Sequence, residues 1–393
     1  MEVTLTVEQA NRYELCKGAI EGYRQNAEVA MALRLSVRQV QRIKRKVEEK
    51  GAAGVVHGNA GREPPNKTPQ ELHDRVVELA RTRYADFGFA HLADMLSEKH
   101  RTQVSDQTLV RWLRPLGLGR PKRRVPKHRR RRERKAHEGD MIFLDGSPHH
   151  WFGPDEPPCC LLHSSDDATG KPLWGLFLPA ENRDGSFEVA YRVFHKYGLP
   201  GTFYIDQASQ FTTTRHGGRH VRQGPDTEET HFERAMGELA VGLIFARSPQ
   251  AKGRIERLNK SFQDRLVPEL RLQGIRDCAA ATRYFNQTFA PHYAKKFGHT
   301  PADPTPAWRP VKPGIDLRTI LCAKCTRTVA NDNTVSLDGQ VYQLLPPQGR
   351  YHLVHAKIEV QQWFDGTVHF QHPEHGFIKA KPVKSQTHQE AAL

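Results

Sequence analysis

The sequence predicts a multidomain chain: α-helical helix-turn-helix units at the front, an α/β layer in the middle and a small C-terminal β-barrel. Three observations carry this. At 393 residues the chain exceeds what one hydrophobic core organises, so several units of roughly 50 to 200 residues are expected. From Gly139 onward, helical periodicity gives way to short β-rich runs with turn signals between them, followed by further helical patterns, the signature of an α/β layer. After a Pro-rich connection from Thr300 to Pro313, alternating runs are punctuated by Asp338-Gly339 and Asp365-Gly366, which are strong hairpin signals. These breaks place helical units at 1–60 and 66–118, a basic linker at 119–137 and the barrel at 318–380.

The first helical unit is read from Asn26 to Lys50. Ala27, Ala30 and Met31 precede a short Leu33-Arg34-Leu35 turn, and Ser36 is a candidate N-cap for a second helix. On that helix Val37, Val40, Ile43 and Val47 are expected inside, with Arg38, Gln39, Arg42 and Arg45 outside. Arg suits guanine and Gln suits adenine in a major groove, although a solvated amphipathic helix would show the same stripe. The pattern returns after a break at Gly51 to Thr68. A helical run from Pro69 to Tyr84 precedes Phe89 to Leu96, and Ser105 opens Asp106 to Leu113. There Leu109, Trp112 and Leu113 are expected inside, and Gln107, Arg111 and Arg114 outside.

Charge points to the partner. The chain holds 59 Lys+Arg against 44 Asp+Glu, a formal +15, with a pI near 9.6, which fits a polyanion such as double-stranded DNA. Residues 114–135 hold twelve Lys/Arg and one Glu, leaving only +4 for everything else. Within it, the two prolines and mutual repulsion of the run Arg120 to Lys135 make an extended tether, either solvated or on DNA. DNA contact is favoured because arginines as dense as Arg123, Arg124, Arg129 and Arg130 are costly to gather without a polyanion. Apolar runs such as Glu238 to Ala246 fall far short of the ~20 residues of a membrane span. The acids in the first fourteen residues do not suit a secretion signal, so a cytoplasmic protein is expected. Six cysteines form no disulfide framework, and Cys322-Ala-Lys-Cys325 lacks a second ligand pair for zinc, so two reduced thiols near a strand are expected there.

Three carboxylates stand out. Met141-Ile-Phe-Leu-Asp145 and Gly201-Thr-Phe-Tyr-Ile-Asp206 each end an apolar strand on an acid, which is costly unless something such as a divalent cation compensates it. The third, Glu256, follows the helix-start signal Ser248-Pro249. Ile255, Leu258, Phe262 and Leu266 make one apolar stripe, leaving Glu256, Asn259, Lys260 and Gln263 on a polar face. Lys252, Arg254, Arg257 and Lys260 are candidates to line a DNA groove, or are ordinary solvated helix charges. Asp140 precedes its strand, and Asp166-Asp167-Ala-Thr-Gly170 reads as a turn, so these acids are not expected to ligate metal. His149 and His150 read as a neutral, hydrogen-bonded pair beside the site, with phosphate positioning as the other reading.

The segments His137 to Phe152, Ser165 to Gly170, Phe203 to Phe211 and Ser248 to Arg257 together resemble, in order, the catalytic core of bacterial insertion-sequence transposases with a retroviral-integrase core, most of all the group labelled ISNCY. The resemblance covers residues 138–305 and implies a ribonuclease-H-like fold with an Asp, Asp, Glu triad, which position by position becomes Asp145, Asp206 and Glu256. In many relatives the last two acids lie about thirty-five residues apart, whereas here the gap is fifty. The excess reads as a polar, Gly-bearing surface insertion between Phe211 and His231.

What the resemblance implies is a DNA transposase that binds element ends, cleaves them and joins the freed 3′-OH to target DNA. Two Mg²⁺ (or Mn²⁺) ions roughly 3.5 to 4 Å apart would serve this chemistry, Asp145 bridging both, Asp206 holding one and Glu256 the other. Joining two ends calls for a homo-oligomer, at least a dimer, acting in the bacterial nucleoid. The alternative is a catalytically silent DNA-binding repressor derived from such an element, which intact acids at all three positions disfavour.

Overall fold

A computed structural model of the chain describes residues 4–60, 68–119, 133–206, 229–246, 253–346 and 352–383. It divides into two compact units, Met1–Val76 and Val77–Leu393. In the first, α1 (Val7–Ile20), α2 (Asn26–Leu33) and α3 (Val37–Lys50) close on a small core that includes Cys16, Val29, Val40 and Val47. Arg34 takes a left-handed φ of 53° to end α2, and the chain turns at once into Ser36. There the Ser36 hydroxyl accepts the Gln39 N–H while Gln39 Oε1 accepts the Ser36 N–H at 2.9 Å, a reciprocal cap. Val37, expected inside, is 43% exposed. It is the first residue after the cap, and Val40 and Val47 supply the buried seam of α3.

The second unit contains the C-terminal end of α4 (Gln70–Thr82), followed by α5 (Phe89–His100) and α6 (Asp106–Leu113), which pack together. Leu92, Leu96, Leu109 and Leu113 are buried, Trp112 only partly, and Ser105 caps α6 by accepting the Thr108 N–H. Ion pairs of Asp94 with Arg265 and Asp86 with Arg271, and a hydrogen bond between His91 and Glu269, hold α5 and the segment before it to a long helix of the core, α9, whose bounds follow.

The core runs β1 (Met141–His149), β2 (Cys159–Asp166), β3 (Pro172–Leu178), α7 (Arg183–Tyr197), β4 (Thr202–Ile205), α8 (His231–Glu238), β5 (Gly242–Phe245), α9 (Gly253–Leu272), α10 (Cys278–Tyr284) and α11 (Ala290–Phe297). Its sheet has the order β3-β2-β1-β4-β5, with β1, β2 and β3 antiparallel neighbours and β4 and β5 parallel to β1. That is a ribonuclease-H-like sheet. Both faces are covered, so the strands are apolar on both sides. Ile142, Leu144, Phe203 and Ile205 pack with residues of α7 and α8, while Met141 and Phe143 meet Ile255 of α9. The stripe of α9 is buried as its spacing requires: Phe262 and Leu266 join Leu161, Phe177, Phe285 and Phe289 in a second core.

The C-terminal strands are β6 (Cys322–Thr328), β7 (Thr334–Leu337), β8 (Gln340–Leu344), β9 (Lys357–Trp363), β10 (Val368–His372), β11 (Gly376–Ile378) and β12 (Ala380–Val383). Asp338 and Gly339, with φ of 48° and 80°, form the two-residue turn that their types demand. The expected barrel is not closed among the described residues. The strands form a four-stranded sheet, β11-β10-β9-β6, and a three-stranded sheet, β12-β8-β7, sharing one core. The physical reason is a sheet switch: β11 is three residues long, and one residue later the chain pairs with β8 instead. Cys322 and Cys325 both lie on β6 as free thiols, and burial pushes the Cys322 thiol up to about 11. No helix among the described residues is long and apolar enough to cross a membrane.

Candidate active site

Side chains alternate along a strand, so the two faces of the sheet sort the residues of β1. Ile142 and Leu144 point to the side of α7, and Met141 and Phe143 to the side of α9. Asp145 continues the second series. On β4, Phe203 and Ile205 lie on the α7 side and Tyr204 on the α9 side, so Asp206 continues that same series. The register pairs Ile142 with Phe203 and Phe143 with Tyr204. The pairing ends there: Asp145 lies two residues further along β1, and Asp206 directly follows the last residue of β4. Gly146 faces the other way, where a Cβ would come within 2.2 Å of the Glu181 carboxylate, so a larger residue there would require that side chain to move.

Glu256 sits in the first turn of α9 and is exposed. Ile255 and Leu258 anchor that turn on Met141, Phe143 and Tyr204. One turn on, Asn259 Nδ2 donates to Asp145 Oδ2 at 2.7 Å, and Gln263 Nε2 donates to Ser147 Oγ at 3.0 Å. The polar face of α9 thus stands over the middle of β1: Asp145 does not end its strand as expected, because pairing with β2 carries β1 on to His149. A groove of about 1080 Å³ runs beside it, lined by Ser147, His149, Glu256 and Lys260 and by Gly88 and Phe89 at the start of α5.

Among the described residues, the one trio of ligand atoms mutually within 4.8 Å is His372, Glu374 and His375, at the β10–β11 turn. Asp145, Asp206 and Glu256 are spread more widely than that, wider than the cage of a single ion. As a donor set they are three carboxylates, hard oxygen ligands of the type that Mg²⁺ and Mn²⁺ prefer, so the residues present fit these metals.

The neighbouring acids have structural roles. Asp166 ends β2 and is buried, and its carboxylate accepts the backbone N–H groups of Gly139 and Thr169 and the Thr169 hydroxyl. Burial pushes its pKa up, with those hydrogen bonds opposing. Asp167, also buried, accepts the Lys135 N–H and pairs with Arg254. Arg254 is thus paired with an acid of the core, and with Arg257 it also lines a groove of about 450 Å³. Asp140 pairs with Lys135 at 3.4 Å. The His150 ring bonds the Glu156 carbonyl at 2.9 Å, and His149 lies edge-on to Trp151.

Arg38, Arg42 and Arg45 are exposed on α3, Gln107 and Arg111 on α6, and Lys260 on α9. Gln39 is exposed too, but its side-chain oxygen serves the cap of its own helix. Arg123, Arg124, Arg129, Arg130 and Lys252 lie outside the described residues, as do Ser248-Pro249 and nearly all of the expected insertion between Phe211 and His231. One residue that spacing did not single out is His163, in the middle of β2, fully buried and bonded to Asn259. Its signal was a lone histidine inside an apolar strand.

No family model matches the chain. It is 33% identical to a protein of Sinorhizobium fredii (strain NBRC 101917 / NGR234) assigned as transposase y4bF, over 93% of this chain and 79% of that one. It is 26% identical to the transposase for insertion sequence IS1202 of Streptococcus pneumoniae, over 92% of this chain and 83% of that one. Among solved structures it is similar to the HTLV-2 integrase catalytic core domain in complex with magnesium, at 13% identity and a TM-score of 0.29, over 39% of this chain and 91% of that one. It is also similar to a chain of the simian T-cell lymphotropic virus intasome in complex with PP2A regulatory subunit B56 gamma, at 13% identity and a TM-score of 0.32, over 79% and 96%. With a sequence relationship spanning nearly its whole length, the chain belongs to the insertion-sequence transposases.

Proposed function

We propose that this transposase binds the ends of its insertion sequence, cuts them and joins the freed 3′-OH ends to target DNA, using Asp145, Asp206 and Glu256 as the ligands of two Mg²⁺ or Mn²⁺ ions. The observation that supports this reading is the parallel pairing of β1 with β4, which puts Asp145, two residues beyond the last pair, and Asp206, directly after β4, past the same end of that pairing, with Asn259 of the helix that bears Glu256 bonded to Asp145. Asp145, Asp206 and Glu256 would hold the ions between them. The ions, when bound, supply an activated oxygen nucleophile and offset the charge that grows on the phosphate and the leaving oxygen.

The chain's own groups do the rest. Asn259 holds one oxygen of Asp145, so that the carboxylate presents its other oxygen in a fixed direction. Glu256 is exposed and lines the groove, where its carboxylate is open to a ligand. Lys260, one turn from Glu256 in the same groove, is the cation placed for a phosphate of the bound strand. Arg38, Arg42 and Arg45 on α3 and Gln107 and Arg111 on α6 are the groups of two helix-turn-helix units that meet element DNA, with Arg123, Arg124, Arg129 and Arg130 of the linker along the backbone. A homo-oligomer holds two ends together.

The test is incubation of the full-length protein with labelled element-end DNA. Nicking at the 3′ end with Mg²⁺ that stops on chelation supports the reading. Protection of the same DNA with no cleavage under any divalent ion contradicts it.

A further inference from the structure

We propose that His163 is a positioning residue of this active site: through Asn259 it fixes which end of that carboxamide meets Asp145. The inference rests on the reading of Asp145 as a ligand. His163 lies directly across the β1–β2 pair from Asp145 and is 0% exposed. Its Nε2 is 2.5 Å from Asn259 Oδ1, and Asn259 Nδ2 is 2.7 Å from Asp145 Oδ2. The order of donors follows from chemistry. An ionised carboxylate only accepts, so Asn259 must turn its NH₂ toward Asp145 and its oxygen away. The oxygen then needs a donor, and His163 Nε2–H is that donor.

An asparagine carboxamide has nearly the same shape either way round, so packing alone does not choose its orientation. A donor on one side does. Were the amide reversed, its oxygen would face the carboxylate and the two acceptors would repel. The imidazole is itself held: the Phe262 ring lies edge-on at 5.1 Å. Its other nitrogen, Nδ1, is buried without a hydrogen-bond partner among the described residues. An apolar side chain would avoid that cost at this point of the strand, as Leu161 and Leu162 do just before it. Among the described residues, the one hydrogen bond His163 makes is with Asn259, and that contact gives the ring its use.

The experiment uses the full-length protein and three readouts: Mn²⁺ affinity by calorimetry without DNA, the rate of strand joining, and thermal unfolding. His163→Leu removes the donor at similar bulk and is expected to lower Mn²⁺ affinity and joining about 10–100-fold, as loss of an outer-shell partner does. His163→Gln restores an N–H donor and is expected to recover most of both. In an Asn259→Ala background His163→Leu is expected to add little, since the two act as one unit. The proposal is overturned if His163→Leu binds Mn²⁺ like the wild type, if His163→Gln is as impaired as His163→Leu, or if the Leu change adds its full loss on top of Asn259→Ala.

Should the Leu variant not fold, ¹⁵N-histidine NMR of the wild type decides instead. A ring protonated on Nε2 whose resonance moves in Asn259→Ala supports the proposal, and a ring protonated on Nδ1 overturns it. Asp145→Ala separates the two levels of the argument. If it binds Mn²⁺ like the wild type, the reading of the active site fails and His163 with it. If it loses Mn²⁺ while His163→Leu keeps it, only the role of His163 falls.

Discussion

Asn259 and Asp145 are joined by a 2.7 Å hydrogen bond that ties the second turn of α9 to the middle of β1. The bond fixes the helix carrying Glu256 relative to the strand carrying Asp145, so the acids are held by packing on one side and by this contact on the other. Asn259→Leu keeps the bulk and removes the donor. It is expected to slow strand joining about 10–100-fold while leaving end binding unchanged, checked by joining and gel-shift assays on the same DNA. Equal joining by the variant would show that the contact is incidental.

Phe262 is the centre of the second core. Its ring lies 5.0 to 5.6 Å from those of Phe285, Phe289 and Tyr293, edge-on to all three. Phe262→Ala leaves a cavity beneath α9 and is expected to cost about 3–5 kcal/mol of stability, read from chemical denaturation. A cost below about 1 kcal/mol would mean that the helix is held mainly by its ends.

Asp94 of α5 is gripped by Arg265 and Lys296. Burial works to raise its pKa, but the hydrogen bonds from Lys296 and Arg265 outweigh it and hold the carboxyl below its usual value. With the folded value below the unfolded one, the stabilisation is present above the ordinary carboxylate range near 3.9 and is lost as pH falls through the folded value. Asp94→Asn is expected to lose about 1–2 kcal/mol at pH 7 and to show a shallower acid transition below about pH 4 than the wild type. Thermal unfolding at both pH values checks this, and parallel acid transitions would contradict it.

Much of this was legible in the sequence because local chemistry and tertiary packing agree. Ser36 and Ser105 cap the helices that their types announced, and the stripe Ile255, Leu258, Phe262, Leu266 faces the core as its spacing requires. Asp145 and Asp206 end apolar runs that do become neighbouring parallel strands. What was not legible depends on contacts between distant segments. Nothing near Arg254 says that its partner is Asp167, eighty-seven residues away. Nothing in β2 says that His163 would meet a side chain of α9. The hairpin turns of the tail were readable from Asp-Gly pairs, but the switch of sheets after β11 is set by which edge is free, and no local pattern encodes that.

The exposed arginines of α3 give a quantitative expectation for DNA binding. Each of Arg42→Ala and Arg45→Ala is expected to weaken binding to element ends. A substitution that removes a phosphate contact reduces the slope of log K against log salt by about 1, and one that removes a base contact costs about 1–3 kcal/mol and relaxes specificity at one position. Fluorescence anisotropy from 50 to 200 mM salt, on matched and scrambled ends, distinguishes these outcomes. Unchanged affinity and slope in the double variant would remove α3 from the interface.

The central claim is that Asp145, Asp206 and Glu256 act together on the metal. The most direct measurement is end cleavage and joining with Mg²⁺ by Asp145→Ala, Asp206→Ala and Glu256→Ala, each first shown to bind element ends like the wild type. All three variants are expected to bind, and none to cleave or join. Wild-type joining by any one of them would contradict the claim.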